Sequence, residues 1–356
     1  MIHSGETTRR MNDLISVVIP ARNAEQTIGS TIQSVLNQSY SDIEIIVVND
    51  GSSDNTNTEI ENLFDDKSNI KLTEIDHSGV AAARNHGIEL ANGDLIAFLD
   101  ADDVWHREKL TIQREHLLAN KNAAFLYSPI RLIDEHSNIL STSPYLQFEG
   151  DVLKHMLLTQ FINASSSLLC HKEAVRSVGG FDSTAYMKGH QGCEDYLFSV
   201  RMAAKYELAA APYYLTGYRC HTTNMSNNYG QMQKSKESIL RMLQDELPDT
   251  PDNVFKWHAS HAFTYMGYKA LKSGRLVKGM NLISSALAND KSAYLKVTKN
   301  IMERHLLFKV KDKYVGNKFE TCDINSERNL PLENFYVNIL NNNQQFKNWK
   351  VSAEDN

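Results

Sequence analysis

An α/β fold, with a mainly parallel sheet flanked by helices and a mostly helical C-terminal region after it, is what this sequence predicts. Three observations carry that expectation. In the N-terminal part, short runs of apolar, β-branched residues alternate with stretches whose apolar residues recur at helical spacing. Those runs, such as LISVVI and IEIIVV, lack polar alternation, which marks strands covered on both faces. Beyond residue 224 the strand signal stops and helical periodicity remains.

Residues 14–19, 43–48, 70–74 and 94–99 read as strands. Between them, residues 24–38, 54–66 and 79–91 read as helices, with Ile28, Ile32, Val35 and Leu36 on the apolar face of the first. Asp54 and Ser78 stand where N-caps are expected. After Trp105 the rhythm loosens into a helix over 106–119, a strand over 123–128 and a polar, irregular segment to Gly150. Residues 179–193 are Gly-rich and read as a loop over a site. Glu194 and Asp195 then open a helix through Tyr196, Leu197, Phe198, Val200 and Met202. Four further helices are expected over 231–244, 254–272, 276–288 and 292–309, with Pro248 and Pro251 breaking the first pair. Ala270-Leu271-x-x-Gly274 followed by Ala286-Leu287 hints at a helical hairpin, but no period repeats. The expected divisions are a loose polar leader over 1–13, an α/β unit over 14–224, a helical region over 225–340 and a frayed tail over 341–356.

Composition narrows the function classes. The 356 residues carry a net charge of −6, and the apolar and charged fractions are those of a globular protein. No apolar run approaches the ~18 residues that span a bilayer. The polar N-terminus lacks the apolar stretch of a secretory signal. Cys170, Cys193, Cys220 and Cys322 show no C-x-x-C spacing, so neither a disulfide framework nor a zinc site is expected, and a reducing cytoplasm fits. Residues 1–230 hold 18 Lys and Arg against 29 Asp and Glu, whereas residues 231–356 hold 19 against 14. The acidic front argues against nucleic acid as a partner.

Chemistry concentrates at strand ends, where open α/β sheets bind ligands. Leu95-Ile96-Ala97-Phe98-Leu99 runs straight into Asp100-Ala101-Asp102-Asp103. Three crowded carboxylates call for a cation or for solvent. A hard divalent ion holding phosphates is one reading, and a solvated Asp-rich turn is the other. Pro20-Ala21-Arg22-Asn23-Ala24-Glu25 follows the first strand, and Asn49-Asp50-Gly51-Ser52-Ser53-Asp54 follows the second. Asp50 can accept hydrogen bonds from a base or ribose, though turn and capping chemistry explains the hexapeptide alone. In Ala82-Ala83-Arg84-Asn85-x-Gly87, small residues permit close helix–sheet approach, and Arg84 is either a bidentate anion ligand or a solvated cation. Asp195 is either a helix-start anion or a general base. His221, in Tyr218-Arg219-Cys220-His221, is either structural or a metal or phosphate contact.

Together, these motifs make the chain similar to glycosyltransferase family 2. The likeness runs through SVVIPARNAEQTIGSTIQSVLNQSYSDIEIIVVNDGSSDNT, GVAAARNHGIELANGDLIAFLDADDVW, GGFD, CEDYLF and YRCH, in the family's order, and leaves the helical tail outside. The resemblance implies a GT-A, Rossmann-like fold and an inverting, nucleotide-sugar-dependent transferase over 14–224. It implies that the 20–25 loop (Pro20, Ala21, Arg22, Asn23, Glu25) and Asp50, with Gly51, cradle a nucleoside, uridine in the commonest case. Arg84 is implied near the phosphates. Asp100, Ala101 and Asp102 form the D-x-D, with Asp100 nearer the ribose and Asp102 the direct ligand of Mg²⁺ or Mn²⁺. Asp195 matches the catalytic base, and His221 a metal or phosphate contact. Asp182, Glu194 and Arg219 are candidates for the acceptor or its loops. The implied acceptor is a glycan or lipid-linked hydroxyl in a bacterial surface-polysaccharide pathway.

Two other functions compete. A nucleotidyltransferase needs a Gly-rich basic loop after the first strand, and PARNAEQT has no glycine. A non-catalytic binding or scaffolding subunit is opposed by the intact Asp100, Asp102 and Asp195 set. Neither a P-loop nor G-x-G-x-x-G occurs. Residues 291–318 carry eight basic residues against two acidic ones, interleaved with apolar positions. A basic amphipathic helix there, lying on the inner face of the plasma membrane, is one expectation, and packing on the catalytic unit or on a second copy is the other.

Overall fold

In the computed structural model, the described residues are 13–63, 69–184, 191–307, 315–325 and 336, with 302–307 described in backbone only. The expected leader, apart from Asp13, and the expected frayed tail lie outside them, as does part of the basic stretch over 291–318.

Eleven strands are described: β1 (Ile15–Ala21), β2 (Ile43–Asp50), β3 (Ile70–Ile75), β4 (Leu95–Phe98), β5 (Val104–Trp105), β6 (Ala123–Tyr127), β7 (Ile130–Ile133), β8 (Ile139–Thr142), β9 (Leu168–His171), β10 (Glu207–Ala210) and β11 (Thr216–Arg219). Seven form one sheet in the order β10-β6-β9-β4-β1-β2-β3, and four form a second in the order β5-β11-β7-β8. In the large sheet β1 runs parallel to β2 and β4, β2 to β3, and β6 to β10; β9 runs antiparallel to both neighbours. The architecture is the mixed, mainly parallel α/β sheet that the unbroken apolar runs predict. From β1 the chain adds β2 and β3 on one side and then β4 on the other. The order therefore reverses at β1, opening a crevice beyond the carboxyl ends of β1 and β4.

Alternate residues of β1 feed two cores. Val18 joins one on one face of the sheet, and Val17 and Ile19 join the other with Ile28, Ile32 and Val35. Each fully buried aliphatic side chain contributes about 1.5–3 kcal/mol. The first core runs on into the helices Tyr229–Glu246 and Asp252–Lys272 through Ile239, Leu240, Trp257 and Phe263. The helical region therefore shares the apolar core of the sheet. Helix Val80–Leu90 approaches β1 closely because Gly87 lacks a side chain; a Cβ there would lie 2.4 Å from Val18 Cγ1.

Several expected boundaries shift for local reasons. β1 continues through Pro20 and Ala21, and β2 through Asp50, because their partners stay in register as far as Asn49 and Ile75. The segment expected to be irregular before Gly150 contains β7 and β8. Both strands are short, and charged turn residues between them hide the alternation. Asp134 closes that turn by accepting from the N–H groups of His136 and Asn138. The helix expected from His106 begins at Lys109, since the His106 N–H pairs with Leu215 O. Asp54 lies one residue before the cap position, which Asn55 occupies, and accepts from Thr56 N at 3.1 Å. Ser78 does not cap; its hydroxyl donates to Asp76 O, and Gly79 occupies the cap position.

Candidate active site

The crevice at the switch point is lined from three strand ends. After β4 the chain turns at once, with Asp103 N bonding back to Asp100 O, so three carboxylates emerge within four residues. Arg84, only 3% exposed on helix Val80–Leu90, reaches them from the side. It donates from Nη2 to Asp100 Oδ1 at 2.6 Å and from Nη1 to Glu194 Oε1 at 3.3 Å. Its guanidinium carbon sits 4.9 Å above the Phe181 ring. The next residue, Asn85, clamps the Phe181 backbone from both sides, through Nδ2 to O at 2.7 Å and Oδ1 from N at 2.8 Å. The Arg-Asn pair thus ties the D-x-D turn to the GGFD loop and to the start of helix Glu194–Lys205.

Asp195 follows Glu194 in the first turn of that helix. Its Oδ1 accepts from Tyr196 N at 2.7 Å, and Oδ2 takes no hydrogen bond from the described residues. Burial, then the neighbouring Glu194 carboxylate, raises the Asp195 carboxyl to about 6, with Arg84 and Lys236 pulling against them. Lys236 comes from helix Tyr229–Glu246, beyond the expected limit of the α/β unit. It is 3% exposed, donates to Gln160 Oε1 at 3.0 Å and lies 3.8 Å over the Tyr196 ring. Sequence reading missed it because one lysine among several on a helix carries no signal of burial.

On the opposite flank, Asp102 Oδ2 lies 2.9 Å from His221 Nε2, with each side chain about one-third exposed. His221 is set by Thr223 Oγ1 at 2.7 Å from Nδ1. The junction is held by Arg219, one of the residues expected to serve the acceptor or its loops. It is 2% exposed and donates to the carbonyls of Asp102, Asp134 and Glu135, each at 2.8 Å, welding β11 to two turns. Asp182 is likewise turned inward, accepting from Thr184 and from Arg201 at 3.3 Å. Asp103, fully buried, accepts from Arg219 N at 3.0 Å; burial and then Asp102 and Asp100 push its carboxyl well up. Asp100 is also raised, by burial first, despite its pairing with Arg84.

The loops after β1 and β2 zip together. Asn23 N donates to Ser52 Oγ at 3.0 Å, Ser53 N to Asn23 Oδ1 at 2.9 Å, Ala24 N to Thr56 Oγ1 at 2.8 Å, and Asn55 N to Glu25 Oε2 at 3.0 Å. Arg22 projects outward, exposed. Asp50, 3% exposed, accepts from Ser78 N at 2.6 Å and Gly79 N at 3.0 Å, with His77 Nδ1 at 2.9 Å. Those contacts leave one acceptor position, on Oδ1, for a ligand. Gly51, at φ +63°, makes the turn against His77.

Crowded carboxylates beside a histidine invite a cation. Among the described residues, however, no group of three or more His, Cys, Asp or Glu side chains could by itself hold a metal ion. The protein offers Asp102 and His221 at one point, which fits a hard ion whose remaining ligands come from substrate and water.

The chain is similar to known proteins in sequence and in fold. The sequence model described as "Glycosyltransferase like family 2" matches residues 16–243. The chain is 42% identical over 125 residues to the Escherichia coli UDP-Glc:alpha-D-GlcNAc-diphosphoundecaprenol beta-1,3-glucosyltransferase WfgD, a match covering 35% of this chain and 48% of that one. It thus spans about half the length of that relative. It is 30% identical over 234 residues to WfaP, an E. coli enzyme named for the same reaction, covering 65% of this chain and 87% of the other. Staphylococcus aureus TarS, residues 1–349, solved with UDP-GlcNAc, superposes with a TM-score of 0.58 at 15% identity over 81% of this chain and 91% of TarS, a likeness of fold. From β1 to the helix that delivers Lys236, the chain belongs to glycosyltransferase-like family 2.

Proposed function

We propose that the chain is an inverting glycosyltransferase of bacterial surface-polysaccharide synthesis, working at the cytoplasmic membrane face. It moves a sugar from a UDP-sugar to a hydroxyl of a glycan or lipid-linked acceptor by single displacement. The observation that carries this reading is Asp195, a carboxylate raised to about 6 whose Oδ2 takes no hydrogen bond from the described residues, across Arg84 from the D-x-D turn. The names of WfgD and WfaP support the donor and acceptor classes.

The chain's own groups divide the work. The 20–25 loop and the remaining acceptor position of Asp50 hold the nucleoside. Arg84 fixes Asp100 toward the ribose and keeps Glu194 from competing for the acceptor. Asp195 Oδ2 takes the proton of the attacking hydroxyl, a service worth about 10²–10⁴-fold. Attack opposite the leaving diphosphate, through an oxocarbenium-like state, inverts the anomeric centre. Asp102 and His221 would hold Mg²⁺ or Mn²⁺, which neutralises charge on the leaving diphosphate, worth several kcal/mol.

A donor screen tests this. Purified protein with Mn²⁺ is given UDP-, GDP-, dTDP- and CMP-sugars, and nucleotide release is followed beside Asp102→Ala. Release from a UDP-sugar, lost in the variant, is expected. Absence of both turnover and nucleotide binding would point to a scaffolding subunit.

A further inference from the structure

Beside His221 lies a cavity of about 690 Å³ whose lining includes Thr222, Thr223, Asn224, Asn228, Gln231 and Arg275. Its wall joins the site directly: Thr223 holds His221 Nδ1, and the Asn224 side chain accepts from His221 N at 2.5 Å. Arg275 is fixed there by donation to Asn227 O and by stacking 5.3 Å from the Tyr229 ring. One residue later begins helix Leu276–Asn289, whose first turns carry the most exposed large apolar side chains among the described residues: Leu276 at 62%, Val277 at 75% and Met280 at 66%. The opposite face of this helix is packed, through Gly279, Leu282 and Ala286. The apolar strip is therefore an outer surface beginning at the rim of a polar cavity.

Charge indicates what covers it. The chain as a whole is acidic, at −6, yet Lys269, Lys272, Arg275 and Lys278 fall within ten residues, and no Asp or Glu occurs from 269 to 289. Apolar side chains flanked by cations, on a helix too short to span, match the anionic surface of a lipid bilayer. No described helix is long and apolar enough to cross a membrane.

We propose that the turn and helix start at 272–280 dock on an anionic bilayer, with Leu276, Val277 and Met280 at the headgroup–acyl boundary and Lys272 and Arg275 at lipid phosphates. The cavity beside His221 then opens along the membrane surface toward the sugar of a polyprenyl diphosphate acceptor. This rests on the transferase reading only for the acceptor; the docking itself stands on the surface.

The test is flotation of the full chain with vesicles of phosphatidylcholine alone or mixed with phosphatidylglycerol. Binding only to the anionic vesicles is expected. It should weaken at least tenfold in Val277→Asp/Met280→Asp, and about fivefold in Lys272→Gln, as one surface cation implies. All three positions are exposed, so the fold and UDP-sugar binding, followed by calorimetry, should be unchanged. Undiminished flotation of the double variant would overturn the proposal. So would a concentration-dependent dimer, seen by light scattering, that the double variant abolishes, since a second copy would then cover the strip. A wild type that binds a nucleotide sugar but not the anionic vesicles counts against docking alone, whereas a wild type that docks but binds no nucleotide sugar counts against the transferase reading alone.

Discussion

The loops after β1 and β2 and the turn after β4 share one edge of the sheet, but their polar groups are arranged oppositely. In the first two loops Asn23, Glu25, Ser52, Asp54 and Thr56 satisfy one another. At Asp54 burial works to raise the carboxyl, yet hydrogen bonds from Thr56 and the Glu25 N–H outweigh it and hold the group below its ordinary range. Across the crevice, Asp100, Asp103 and Asp195 are all raised, burial leading in each. There one buried guanidinium serves Asp100 and Glu194 together. The first set is satisfied within the protein, while the second keeps crowded carboxylates at the crevice. Perturbed carboxylates in a cleft are where chemistry is expected.

The largest effect should come from removing the proposed base. Asp195→Asn is expected to lower transfer by about 10²–10⁴-fold while calorimetry shows donor affinity nearly unchanged; a matching loss of donor binding would remove Asp195 from the base role. In the wild type, kcat/KM should fall as pH drops through about 6, where Asp195 protonates. Stability runs the other way. A carboxyl raised from 3.8 to about 6 gives its full contribution below the lower value, and that contribution fades as pH rises through the higher. Asp195→Asn should therefore gain in melting temperature relative to wild type as pH rises across that window. A gap independent of pH would mean the carboxyl is not raised.

Next in size is the cation that serves the crowded side. Arg84→Met leaves Asp100 and Glu194 without their shared partner in a partly buried setting, and removal of one member of such a network costs about 3–5 kcal/mol. Urea unfolding would measure it. A loss below about 1 kcal/mol, the scale of an exposed pair, would show that solvent reaches both carboxylates and that the two sides of the crevice differ less than their geometry implies.

Legibility in the sequence divides along the same line. Strands and helices of the large sheet were readable because periodicity and burial coincide, as in the alternation of Val17 and Val18 between two cores. Asp100, Asp102 and Asp195 were readable as types at strand and helix ends. What stayed hidden depends on contacts between distant segments. Arg219 looks like any charged residue after a strand, yet three backbone carbonyls from two turns fold around it. Lys236 becomes a neighbour of Asp195 only because helix Tyr229–Glu246 packs into the same core as the sheet. The β7–β8 hairpin was lost because its strands are four residues each and its turn is charged.

The smallest effect should fall on the satisfied side. Asn23 holds Ser53 N at 2.9 Å, is itself exposed and sits at φ +48°. Asn23→Ala removes the exposed hydrogen bonds from Ser53 N and Oγ and places alanine in a left-handed conformation that asparagine tolerates better. The expected cost is about 1–2 kcal/mol in stability. Donor affinity should weaken less than about tenfold if, as proposed, the backbone of the 20–25 loop holds the nucleoside, since Asn23 and Glu25 bond to residues 52–55. Calorimetry with a UDP-sugar, beside thermal melting, separates the two effects. A large loss of affinity at unchanged stability would make Asn23 a ligand contact. The rim would then be shared between scaffold and substrate, and the contrast between the two sides of the crevice would be one of degree.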